Sequence, residues 1–245
     1  MIVEITGSTG VGKSTVSFML KDLLQKKGVS SELAHEYVLR RYCMIRLSSQ
    51  LLDTIFFDVL TSSFVILNLH KCFVLVFLSI YYSLRYGDTL FFKINILRNV
   101  IKKIGLFYCL KKNNDQNKIF ILDEGPLHCV HNLFVHVGNL PDLKHMFIYI
   151  DHLPRCDLVA LLYSNLETLF VRTSARGGHR RVKDKNDENT KTFLRNSIEV
   201  FSALKKHEGL ADNLFALENE SSAYAAESLA NRITGILRTG DVITL

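Results

Sequence analysis

Gly7-Ser8-Thr9-Gly10-Val11-Gly12-Lys13-Ser14 is the stretch from which the rest of the chain is read. It fits the pattern G-x-x-x-x-G-K-[ST], a phosphate-binding loop. The residue types follow from the ligand. Glycines let the backbone wrap an anion so that several N–H groups point inward. A helix beginning near Lys13 adds its positive end. Lys13 would reach the β- and γ-phosphates, and Ser14 would ligate Mg²⁺. The flanks supply the required context. Residues 2–6 read as a short strand, and Val16, Met19, Leu20, Leu23 and Leu24 recur at helical spacing up to Gly28.

Outward from the loop, strand and helix signals alternate. Residues 31–35 read as a second strand and 118–122 as a third, an apolar run of the kind that suits a buried parallel strand. Pro126 suits the first position of a helix through Leu127, Val130, Leu133 and Phe134. Residues 158–163 are a further apolar run. Ser164-Asn165-Leu166-Glu167 reads as a capping box opening a helix that stops at Gly177-Gly178. Helical spacing returns over 192–207, a last strand over 214–217 and a last helix over 223–237. This alternation predicts an α/β chain with a parallel sheet covered on both faces.

Composition bounds the function. The 245 residues are 48% hydrophobic and 22% charged, which excludes a disordered chain and suits one domain over 1–245. The net charge is +6, but it is segregated. Residues 59–114 hold eight basic residues and one acidic residue, Asp88, a net +7 that leaves the remainder at −1. A nucleic-acid face spread over the fold is therefore disfavoured, and no nucleic acid is expected as a partner. Five scattered cysteines without CxxC spacing read as reduced thiols in a cytoplasmic protein. The first residues carry neither a basic region nor a long apolar run, so no signal peptide is expected.

Several side chains are candidates for chemistry. Asp123 ends the third strand, where parallel sheets place their ligands, and would hold Mg²⁺ with Ser14 or else cap the helix at Pro126. Glu124 reads as a substrate contact, a base or a solvated neighbour. Arg172 and Arg176 share a helix face, and Arg180 and Arg181 follow in a polar stretch. Guanidinium forks suit phosphoryl oxygens, so 172–191 reads as a phosphate lid or as a solvated basic loop. Glu36, expected at the end of the second strand, could take a proton from an acceptor hydroxyl. His128 and His131 sit three apart on one helix, a spacing that by itself says little about metal.

The loop at 7–14, the segment Asp123-Glu124-Gly125-Pro126 and the run from Leu153 into Glu167, Arg172 and Arg176 together resemble the P-loop kinases of nucleosides and nucleotides, thymidylate kinase-like proteins above all. The resemblance implies a three-layer fold with a five-stranded parallel sheet, an Arg-bearing lid at 172–191 and an adenine contact near Glu218-Asn219. It implies ATP and Mg²⁺ as cofactors. The ATP contacts would be Gly7, Gly10, Val11, Gly12, Lys13, Ser14, Thr15, Arg172 and Arg180. Lys13, Asp123, Arg172, Arg176 and Glu36 would be catalytic, with Ser14 and Asp123 at the metal. The acceptor side departs from these families. Asp-Glu-Gly stands where deoxynucleoside kinases have Glu-Arg-Ser, and the thymidylate-reading segment is absent.

Residues 45–112 form the part the resemblance covers poorly. Residues 59–84 carry one charge, Lys71, and 29–86 contain neither Gly nor Pro, which predicts long helices. Two readings remain for 54–107. One is a buried helical wall of the acceptor pocket that also offers a homodimer face. The other is a segment resting on anionic lipid at the inner face of a membrane, with Leu90, Ile94, Leu97, Ile101 and Ile104 as the apolar stripe beside Arg98 and Lys102. The expectation is an ATP-dependent kinase acting on a small-molecule acceptor. The alternative is a nucleotide-binding or ATP-hydrolysing module of a membrane-associated assembly.

Overall fold

The computed structural model describes residues 1–42, 50–86, 89–113, 118–178, 182 and 186–239. Among them five strands form one sheet: β1 (Ile2–Gly7), β2 (Ser31–Leu33), β3 (Ile119–Asp123), β4 (Leu158–Tyr163) and β5 (Leu214–Glu218). Their order is β2-β3-β1-β4-β5, with every neighbouring pair parallel. Successive strand residues point to opposite faces. All six residues of β1 and four of the five in β3 are buried, so both faces of the sheet centre are covered. Ile5 stands opposite Asp123, which puts the exits of β1 and β3 side by side. There the chain leaves toward β2 on one side and β4 on the other, the crevice where α/β sheets bind ligands.

The helices are α1 (Lys13–Lys26), α2 (Ala34–Tyr42), α3 (Gln50–Leu67), α4 (Leu69–Tyr86), α5 (Leu90–Lys112), α6 (Cys129–Phe134), α7 (Leu143–Asp151), α8 (Leu166–Ala175), α9 (Asp187–Leu204) and α10 (Ser222–Thr239). Helix α1 packs on α10, and α5 packs on α3, α4 and α6. Two sequence expectations shift at the helix starts. The cap of α8 is Asn165, whose side chain accepts the Thr168 N–H at 2.8 Å, one position on from the expected Ser164. The second strand stops at Leu33, and Ala34 already opens α2.

The glycine-free middle forms long helices, as its composition requires. Gly105 of α5 lies against α3 so closely that a Cβ there would stand 2.0 Å from the Thr61 carbonyl oxygen. The stripe assigned to lipid turns out to be divided. Ile94, Leu97 and Ile101 line a groove against α3, Arg98 Nε donates to Asp58 of α3 at 2.6 Å, and Ile104 is fully buried. Apolar surface faces outward on α3 and α4, through Ile66, Phe73, Phe77 and Leu84, and at the start of α5, through Leu90, Phe91 and Ile94. Among the described residues no single helix is long and apolar enough to cross a membrane, and α3 and α4 meet at 114°.

Candidate active site

The phosphate loop hangs between β1 and α1. Gly12 takes φ +92° to start the helix, a left-handed conformation that glycine adopts without steric cost. Val11 N donates to the Ser8 carbonyl (3.2 Å), closing the turn. The loop is braced from the far side of the sheet. Asn219, fully buried just beyond β5, donates its amide to the Val11 carbonyl (2.5 Å), while its own N–H goes to Tyr163 at the end of β4 (2.8 Å). Arg172 of α8 donates to the carbonyls of Asn219 (3.3 Å) and Glu220 (3.4 Å), tying α8 to the same corner.

Two carboxylates from the β3 exit meet the loop. Ser14 Oγ donates to Asp123 Oδ2 at 2.6 Å. Burial pushes the Asp123 carboxyl up, and the Ser14 hydroxyl partly offsets this. Hydroxyl and carboxylate oxygens at this separation suit a hard divalent cation that keeps water and phosphate oxygens as its other ligands. The described residues contain no group of three or more His, Cys, Asp or Glu able to hold a metal by themselves. Lys13 Nζ donates to the Gly7 (3.1 Å) and Ser8 (3.2 Å) carbonyls and lies 3.3 Å from Glu124 Oε1.

Glu124 is the one non-glycine residue with positive φ, +66°, among those described. A side chain in that region costs about 1–3 kcal/mol and persists only where its surroundings hold it. Here the holder is Glu4, a carboxylate buried in the middle of β1. It accepts the N–H groups of Leu127 (3.0 Å) and His128 (2.9 Å), fixing the turn after Glu124. Gly125 must stay small, since a Cβ there would stand 2.8 Å from the Glu4 carboxyl. Burial raises the Glu4 pKa to about 7, although the Leu127 and His128 amides pull it down.

His128 and His131 serve this scaffold. Their rings stack at 4.9 Å; His128 Nδ1 lies 3.0 Å from Thr6 Oγ1, and His131 Nε2 lies 3.3 Å from Thr9 Oγ1. Next to the loop opens a cavity of about 830 Å³, walled by Asp123 and Glu124, by Lys102 and Lys103 of α5, and by Phe57 and His35.

Lys13, Ser14, Asp123 and Glu124 thus come together, with Arg176 on the cavity wall and Arg172 at the loop's outer corner. Glu36 does not join them. It stands exposed on α2, paired with Lys21 at 2.9 Å, and its neighbour His35 faces the cavity instead. The cause is the early end of β2, which rotates the following side chains into helical register. Arg180 and Arg181 lie outside the described residues. Sequence reading missed Lys102, Lys103 and Glu4. A carboxylate within the apolar run Ile2-Val3-Glu4-Ile5 was the available signal, because lone charges are rarely placed in central strands.

No family model matches the chain, and no curated protein does. Solved structures do. Deoxyadenosine kinase from M. mycoides, with the products dCMP and a flexible dCDP bound, is 19% identical with a TM-score of 0.51, covering 96% of this chain and 100% of that one. The same enzyme with bound dATP is 17% identical with a TM-score of 0.46, again covering 96% and 100%. With the parallel five-stranded sheet and the phosphate loop at the β1 exit, the chain has the fold of the P-loop nucleoside and nucleotide kinases.

Proposed function

We propose that the chain is an ATP-dependent kinase that passes the γ-phosphoryl group of Mg·ATP to a nucleoside, a nucleotide or a similar small acceptor. The observation that carries this reading is the meeting of Lys13 and Ser14 with Glu124 and Asp123 at the mouth of an 830 Å³ cavity. That volume suits a small organic molecule beside the phosphates. Nucleotides bound in the structure neighbours add support.

The chemistry asks the protein mainly for position and charge. The acceptor oxygen forms the new bond to phosphorus. The bond from γ-phosphorus to the bridging oxygen breaks, its electron pair leaves on ADP, and the acceptor proton passes to solvent. The loop amides and Lys13 would orient the phosphates, Arg176 on the cavity wall would add positive charge, and Arg172 would do so only by leaving the Asn219 and Glu220 carbonyls. Ser14 and Asp123 would hold Mg²⁺, which would supply charge neutralisation for the phosphates. Four free, buried cysteines, Cys72, Cys109, Cys129 and Cys156, fit a reducing cytoplasm.

An ATP-consumption screen over deoxynucleosides, nucleoside monophosphates and sugars tests this reading. ADP release that depends on one acceptor class, with a phosphorylated product in stoichiometric yield, is the expected result. Acceptor-independent hydrolysis alone would instead favour a nucleotide-binding module.

A further inference from the structure

Glu124 is shared by more cations than its charge can balance. Lys13 Nζ lies 3.3 Å from Oε1, His128 Nε2 lies 3.3 Å from the same oxygen, and Lys103 Nζ lies 3.0 Å from Oε2. Lys13 comes from α1 and Lys103 from α5, and both are less than a tenth exposed. One carboxylate therefore serves two buried ammonium groups and an imidazole. The other carboxylate at the β3 exit, Asp123, takes the Ser14 hydroxyl and also faces both lysines, so two carboxylates stand against Lys13, Lys103 and the neighbouring Lys102. Lys102, half-buried on the same wall, adds positive charge. Buried charge is costly unless it is paired, so the excess on this wall favours an anionic ligand.

We infer that Lys13 and Lys103, bridged by Glu124, form a two-lysine subsite for the phosphate groups at the head of the cavity. This deepens the kinase reading and rests on it. Lys103 is then a phosphate-binding side chain supplied by the acceptor wall. Glu124 is a positioning residue. In the free site it balances the two ammonium groups from a turn clamped by Glu4, and bound phosphate takes over that balance.

Calorimetric titration of the full chain with inorganic tripolyphosphate tests the subsite without any acceptor. Lys103→Met is expected to weaken binding about tenfold, the loss of one charge-assisted contact. Lys103→Arg should restore most of it. Glu124→Gln should tighten binding, because it removes the anion that competes with phosphate. Unchanged affinity in folded Lys103→Met, or weaker binding in Glu124→Gln, would make these residues a structural ion pair and overturn the inference. Should Lys103→Met fail to fold, Glu124→Gln decides alone. The kinase reading is scored separately: a wild-type chain that binds tripolyphosphate through Lys103 but phosphorylates no acceptor keeps the subsite and loses the kinase.

Discussion

At the scale of single residues, Glu4 and Lys13 make opposite predictions. Glu4 has its folded pKa raised to about 7 by burial, against an ordinary value of 4.5. Between those values the folded chain holds a proton that the unfolded chain has released. Stability from this group is therefore greatest below pH 4.5, falls as pH rises toward 7 and is flat above it. The span corresponds to about 3 kcal/mol. Urea titrations of the wild type and Glu4→Gln across pH 4.5–7.5 should show the wild type losing that much relative to the variant. Parallel pH profiles would contradict the assignment. Lys13 donates to its own loop and to Glu124, so its removal opens no large apolar void. Lys13→Ala should lower turnover about 10²–10³-fold, as loss of one donor to developing charge does. Its melting temperature should shift by only a few degrees, and equal turnover in mutant and parent would count against the loop's catalytic role.

At the scale of elements, the site depends on how closely α5 approaches α3. Gly105 lets the two backbones touch at Thr61, and that contact positions the face of α5 bearing Lys102 and Lys103 over the cavity. Gly105→Ala gives the helix a better former, worth about 1 kcal/mol. It also forces a Cβ into a backbone carbonyl that cannot swing aside. Overpacking of this kind costs about 1–3 kcal/mol or more, and the clash should win. The expected result is a lower urea midpoint with an unchanged slope, together with weaker tripolyphosphate binding. A more stable variant would show that the helices can separate without consequence.

At the scale of the whole molecule, charge and apolar surface are unevenly placed. The 59–114 segment carries the positive excess, and α3 and α4 both expose apolar side chains, with Ile66 71%, Phe73 63% and Phe77 60% exposed. Apolar side chains exposed together make this pair of helices the place to test for a partner. Replacing Phe73 and Phe77 by Ser should leave stability within about 0.5 kcal/mol, as exposed positions do. It should also reduce association, read as sedimentation coefficient in solution and as pelleting with anionic vesicles. A wild-type chain that stays monomeric and ignores vesicles would mean that this face has no partner.

The sequence by itself determined the phosphate loop, the strand and helix on either side of it and the carboxylate at Asp123. These features are local: glycines, a lysine and an apolar run act over a few consecutive residues, so their pattern survives in one dimension. Only the tertiary structure decided the rest. Glu36 was misplaced because β2 ends two residues early, and one residue of slip changes which side chain faces the cavity. Lys103 read as one more charge in a basic segment until the packing of α5 on its neighbouring helices brought it within 3.0 Å of Glu124. Glu4 and Leu127 are 123 positions apart, and their hydrogen bond exists because β1 and β3 lie side by side. The charge balance of the site is a property of such distant neighbours, and sequence spacing carries no measure of it.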